Sequence, residues 1–472
     1  MPVGVSVRAM RAAKIGSVRP MPESSQFTAS ATRRPSAAPY HHHYSDVPGS
    51  TRPSIVFFMA AVSFFALGVG VLPFAVSDIA QYFYQPVPLA VVHTFTLGWI
   101  TAAIMGVMYR YVPALTRVPL RSQRMVWVQM ALFVVGASGM VTHFAIGIWP
   151  GLWLAAMVMF ASVVLFAANL FPCLWKHLGD GVAETGMFLA ITFLIAAGLL
   201  GMLLGMDKTF DFMGGSLLTN LSAHVHLAAV GWVTVSICAV SYRMLPAFLL
   251  PTVTLPPASK WQIYALSGAT AALAVSLLVR SPVAPLFAVA IAGSIAWYVV
   301  IIGGMVRSRR MPLDWTPLHA LAGVASLAAA IALGIALSIA GGDTPWGARI
   351  APAYGVMGLL GFFSNFIIGM SYQLFAGFVV RARAAAGLPP VTIAEVSIAK
   401  PRLFVFGAFN IGVTALAMGF LLGWDGVAEA GALLVAAAGI VYSAATFRTL
   451  SYAFRQALPA AARNASLRVL PS

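Results

Sequence analysis

Twelve stretches of this chain are apolar over a length that can cross a lipid bilayer, and no other feature restricts its fold so strongly. Each crossing needs about 20 apolar residues. The hydropathy pattern predicts spans at about 54–77, 88–112, 125–147, 150–174, 184–206, 220–248, 262–280, 284–306, 317–340, 351–380, 403–423 and 428–447. Composition agrees, since 60% of the 472 residues are hydrophobic and only 8% are charged. A soluble domain carries about 25% charged residues to cover its surface. A cytosolic enzyme, a secreted disulfide scaffold and a disordered protein are therefore excluded, and an all-α polytopic membrane protein is expected. The two cysteines, Cys173 and Cys238, lie far apart in apolar stretches and define no disulfide framework.

The net charge of +16 would suggest a nucleic-acid partner in a soluble protein. Its distribution says otherwise. All but three of the 28 Lys and Arg residues fall on one side of the predicted spans: the N-terminal tail, the connections that follow even-numbered spans, and the C-terminal tail. Only Lys208, Arg280 and Arg349 fall on the other side. The positive-inside rule then places both termini in the cytoplasm, in a cell (inner) membrane. The basic charge serves topology and contact with anionic lipid, and no nucleic acid is expected. Residues 1–53 are rich in Ser, Pro, Ala and Arg and are expected to be a disordered basic cytoplasmic tail. The tail is basic and acid-poor like an organelle transit peptide, and it fits equally a start codon assigned too far upstream. Its tract His41, His42 and His43 is read as solvated. Residues 54–450 form the transmembrane domain, and 451–472 a cytoplasmic C-terminal tail.

The second and sixth spans repeat one another. The second contains His93, Gly98-Trp99, Gly106 and Tyr109-Arg110, ending at Pro113; the sixth contains His226, Gly231-Trp232, Ala239 and Tyr242-Arg243, ending at Pro246. A third copy in the tenth span reads Tyr354-Gly-Val356, Gly361-Phe362, Gly369 and Tyr372-Gln373. Recurrence every four spans predicts three quasi-equivalent four-helix arcs closed as a ring, with the repeat helices continuous and on the inside. The glycines are read as sites of close helix packing, the earlier one of each copy leaving room for a flat cofactor. The Tyr-Arg pairs are read as interfacial.

Histidines are nearly the only ionisable residues within the spans, and such residues are costly in lipid and usually functional. His93, His143, His224 and His226 share one depth in the outer part of the membrane. His143 is read as interfacial, as is His319 at the opposite face, while His177 is read as solvated in a cytoplasmic loop. His93, His224 and His226 are the candidate metal ligands, because neutral imidazole binds iron and copper well. Residues two apart on a helix point about 200° from each other, so His224 and His226 face different neighbours. Pairing each second repeat position with the first position of the next copy gives His93 with His224, His226 with Tyr354, and Val356 with Val91. The opposite pairing strands two histidines against valines, which buried polar groups disfavour.

Twelve spans in three arcs, with His on the second span and His-x-His on a repeat span, resemble subunit I of the cytochrome c and quinol oxidases. The wider haem–copper superfamily includes nitric oxide reductases and NnrS-type membrane proteins. The resemblance implies haem b as cofactor, with His93 as a low-spin haem ligand, and copper as a second candidate. It implies a cytochrome c or quinol as electron donor, and an electron-transfer or redox/NO-related role beside membrane lipids. An enzyme of this type would be an oxidoreductase. However, the tenth span carries Tyr354 and Val356 where the family has His-x-His, and the seventh has no His. A complete haem–copper centre and oxygen reduction are therefore not expected. The competing reading is a transporter or copper-handling membrane protein that uses the same histidines. With both ends inside, a phosphatase reporter fused after Ser472, active only when exported, is expected to stay inactive.

Overall fold

A computed structural model describes residues 51–456 other than Gly215, Asp343 and 398–400. The two terminal tails expected from the sequence, including the His41–His43 tract, lie largely outside the described residues. Among these, there are helices and no strands, and twelve helices are long and apolar enough to span a membrane. They are α1 (Thr51–Gln81), α2 (Pro86–Thr116), α3 (Gln123–Ile146), α4 (Trp149–Trp175), α5 (Val182–Phe210) and α6 (Leu217–Leu249). There follow α7 (Ala258–Leu278), α8 (Ala284–Arg307), α9 (Trp315–Ala340), α10 (Pro345–Ala385), α11 (Arg402–Leu422) and α12 (Asp425–Ser451).

Most helices start and stop within a few residues of the expected limits, but α10 begins six residues earlier and ends five later than the apolar stretch 351–380. Its ends are amphipathic, so hydropathy alone undercounts them. Capping residues fix several starts. The hydroxyls of Ser122 and Thr344 accept from the backbone N–H groups of Met125 and Gly347, at 3.2 and 3.0 Å, and the Asp314 carboxylate accepts from Thr316 N–H at 3.1 Å. Gly147 and Gly423, with φ of 67° and 69°, end α3 and α11 in the left-handed conformation that favours glycine.

Neighbouring helices pack in sequence within each arc of four, α4 joins the first arc to the second by packing on α5, and α12 packs on α1. One contact recurs at each junction between arcs: α2 meets α5, α6 meets α9, and α10 meets α1. The repeat helices α2, α6 and α10 are the most enclosed, with 67%, 61% and 72% of their apolar windows buried; the other nine range from 28% to 56%. These three therefore line the inside, as the repeat predicts.

Small residues set the closest approaches. In the α11–α12 hairpin a Cβ on Gly419 would stand 2.4 Å from the Ala428 backbone nitrogen, and one on Gly431 2.3 Å from that of Leu416. In lipid, where apolar burial drives little helix association, such backbone proximity supplies the packing. The earlier repeat glycines do not leave the space that the sequence reading gave them. A Cβ on Gly98 would lie 2.3 Å from the Phe64 ring, one on Gly231 2.5 Å from Phe193, and one on Gly361 2.7 Å from Ser326. A side chain from α1, α5 or α9 fills each notch. Gly98→Val is thus expected to destabilise the protein by about 1–3 kcal/mol, measured by thermal unfolding in detergent, with Phe64→Ala in the same chain restoring part of the loss.

Candidate functional site

The three inner helices share a departure from α-helical geometry. Each widens into a π-helical segment, Thr94–Thr101 in α2, Leu227–Thr234 in α6 and Met357–Ser364 in α10. These segments begin one residue after His93, His226 and Val356, the second position of each repeat. The expected uninterrupted α-helices are corrected here: the rod continues, but its hydrogen-bond register changes at the depth of the histidines. A π turn accommodates an extra residue and turns the following side chains relative to those before it; such turns occur often at functional sites.

Beyond the histidines the π segments meet through a broken ring of hydrogen bonds. Trp232 of α6 donates its indole N–H to Thr101 Oγ1 of α2 at 3.1 Å, and Trp99 of α2 donates to Ser364 Oγ of α10 at 3.2 Å. Both acceptors stand eight residues after the second repeat position. The third link would run from α10 to Thr234 of α6, but the donor position holds Phe362, which has no N–H. Thr234 instead donates to the Ala229 carbonyl at 2.8 Å. The ring ties the three arcs together just inside the histidine layer.

All three candidate imidazoles are oriented by backbone carbonyls. Nδ1 of His93 lies 2.7 Å from Leu89 O, Nδ1 of His226 lies 2.7 Å from Ser222 O, and Nδ1 of His224 reaches across to Ala197 O of α5 at 3.0 Å. A carbonyl only accepts, so Nδ1 carries the hydrogen and Nε2 keeps its lone pair. This is the tautomer of a metal-binding imidazole whose other nitrogen is held in place. His224 rests its ring over Gly201, where a Cβ would come within 2.6 Å. His93 stacks on Phe144 of α3 with ring centroids 4.4 Å apart. His93 and His224 lie within electrostatic reach of each other. His224 turns to α5 while His226 does not, as two residues about 200° apart must. All three histidines and Tyr354 keep partial surface exposure.

Tyr354, the fourth candidate, lies over Gly334 of α9, where a Cβ would stand 3.3 Å from its ring. Among the described residues no hydrogen bond joins it to His226. Nor do three or more His, Cys, Asp or Glu residues gather around a common point. Cys173 and Cys238 are free and buried.

Just outward of His93, Lys208 lies 4.2 Å from the Tyr84 ring and 4.8 Å from that of Trp149, whose own ring meets Phe144 edge-on. Two aromatic faces thus hold this cation at the membrane edge. Burial, then the nearby Tyr82 and Asp207, pushes the Tyr84 phenol up to about 12, so it stays neutral beneath the ammonium.

Several sequence readings are overturned. His319 is fully buried rather than interfacial, with Nδ1 2.7 Å from Asn365 Oδ1. Tyr109 and Tyr242 are also buried, donating to Gln129 Oε1 and Gln262 Oε1 at 3.0 and 2.9 Å. Those glutamines continue the links to α4 and α8, Gln129 donating to Ser162 Oγ at 2.8 Å and Gln262 to Ser294 O at 3.0 Å. The signal was present, because each Gln follows its Tyr by twenty residues, carrying the repeat into α3 and α7. His143 packs against Gly151 at the α3–α4 turn, and His177 pairs with Asp180 at 3.1 Å.

Compared with models of known protein families and with curated proteins, the chain matches none. The Trp232–Thr101 bond predicts a coupling of about 0.5–1.5 kcal/mol in a double-mutant cycle with Trp232→Phe and Thr101→Val; a Phe362–Thr234 cycle is expected to give none.

Proposed function

We propose that the protein is a b-type haem-binding integral membrane protein, distantly related to subunit I of the haem–copper oxidases, with both termini in the cytoplasm and a role in electron transfer. The observation that supports this reading is that His93 and His224, on adjacent arcs and within electrostatic reach of each other, are both oriented by backbone carbonyls. Their Nδ1 atoms are tied to Leu89 O and Ala197 O, and their Nε2 lone pairs remain for a ligand. Two imidazoles would be enough to hold a haem iron. The residues fit the group: two imidazoles from adjacent arcs are oriented by carbonyls and keep partial exposure, and Lys208 stands nearby on Trp149.

A haem held there supplies one-electron exchange. The protein's part is to hold both imidazoles in one tautomer, to keep water from the layer through Phe144 and the Trp ring beneath it, and to set the local charge. Two protein ligands leave no coordination position for a gas, which favours electron transfer over gas activation. His226, with Tyr354 on the neighbouring arc, is the second candidate position, for a more weakly held group. The electron donor is expected to be a quinol or a cytochrome c. The absence of His from α7 fits a protein that does not reduce oxygen.

Purified protein is expected to give a low-spin spectrum with sharp reduced bands. His93→Ala and His224→Ala should each abolish or convert that signal, while His226→Ala leaves it largely intact. A silent His224→Ala together with loss of signal in His226→Ala would invert the pairing, and an iron-free protein would overturn the reading.

A further inference from the structure

His319 stands apart from the outer histidines. It lies in the second turn of α9, near the arginine-rich face, with its side chain fully buried. Its ring centroid is 5.0 Å from that of Phe406 on α11 and 5.7 Å from that of Tyr372 on α10. The surrounding amides fix its tautomer. Asn365 donates its Nδ2 hydrogens to Gly361 O at 2.7 Å and to Asn410 Oδ1 at 2.9 Å, so its Oδ1 faces His319 as an acceptor. Nδ1 of His319 therefore carries the hydrogen and Nε2 presents a lone pair. That nitrogen is buried and meets no donor, while the buried Tyr372 hydroxyl makes no hydrogen bond. An acceptor without a donor and a donor without an acceptor, on neighbouring rings, are complementary. Buried polar groups are rarely left unpaired, and an ionisable residue within a membrane usually marks a functional path.

Tyr372 also forms one wall of a cavity of about 30 Å³, lined further by Ser397, Arg402, Tyr442 and Thr446 where α11 begins. That volume holds about two waters. The charged and titratable groups around the pair are Arg402 of α11, 4.9 Å over the Tyr372 ring; Tyr442 of α12, 6.2 Å from the same ring; and Asp314 at the start of α9, which accepts from Gln373 Nε2 at 3.1 Å. On the inner side, Asn365 directly follows Ser364, the acceptor of the Trp99 indole.

We propose that His319 and Tyr372 form a proton-exchange site, bridged by one water and fed with water from this cavity at the arginine-rich face. A hydronium in the cavity gives a proton to the Tyr372 oxygen. Tyr372 passes its own hydroxyl proton to the bridging water, and that water passes one to His319 Nε2. The imidazole becomes an imidazolium with its Nδ1–H still on Asn365, no electrons move, and the reverse sequence returns the proton to the same face. The site does not depend on the haem reading.

The test uses the full chain, labelled with ring-¹⁵N histidine, in lipid nanodiscs. Infrared spectra would be recorded from about pH 4 to about pH 9, bracketing imidazole titration, together with pH-jump kinetics. One imidazole-to-imidazolium transition present in the natural protein is expected to vanish in His319→Gln. Tyr372→Phe keeps the ring but removes the hydroxyl, and is expected to slow that transition by about tenfold or more. Identical titrations in the natural protein and His319→Gln, or an unchanged rate in Tyr372→Phe, would overturn the proposal. If His319→Gln does not fold, the rate in Tyr372→Phe decides alone.

Discussion

Within a bilayer, backbone N–H and C=O groups find no water, so every one must be satisfied by the protein itself. This constraint makes the chain helical throughout its spans, and it governs how the interior can depart from regularity. The inner helices α2, α6 and α10 change their hydrogen-bond register without breaking it, by passing through π turns at one depth. Hydroxyls help to hold the widened turns: Thr234 and Ser364 each donate to the carbonyl five residues earlier, at 2.8 Å. The turns themselves carry the Trp, Thr and Ser side chains of the hydrogen-bond ring, directly after the histidine layer.

The three arcs share a frame but differ in chemistry. The first two carry the Tyr–Gln links, the tryptophan donors and the three carbonyl-tied imidazoles. The third has Val356, Phe362 and Tyr354 at the corresponding positions, so it keeps the geometry without the imidazoles. It has its own polar interior instead, where His319, Asn365 and Asn410 join α9, α10 and α11. Quasi-symmetry thus supplies three equivalent compartments that the sequence furnishes differently.

Much of this was legible in the sequence. Twelve spans, three arcs and enclosed repeat helices follow from hydropathy and from the spacing of His, Gly-Trp and Tyr-Arg. That His224 and His226 take different partners follows from the helical angle between residues two apart. Other features were hidden for physical reasons. A π turn leaves no mark in hydropathy, because the inserted residue is as apolar as its neighbours. The notches at Gly98 and Gly231 looked open because the phenylalanines that fill them come from other helices. His319 looked interfacial because it follows Pro317 near a helix start, whereas α10 and α11 extend far enough to cover it. Tyr109 and Tyr242 looked interfacial because each precedes an Arg near the end of its helix, although the glutamines twenty residues on could have revealed their partners.

The proposed haem-binding role requires that His93 and His224 ligate one iron. X-ray absorption at the iron edge of the purified full-length protein tests this most directly. The expected result is iron with six nitrogen neighbours at about 2.0 Å, by analogy with other metal–imidazole bonds, and the outer-shell scattering of two imidazole rings. Absence of iron, or an iron with one imidazole and an open position, would contradict it.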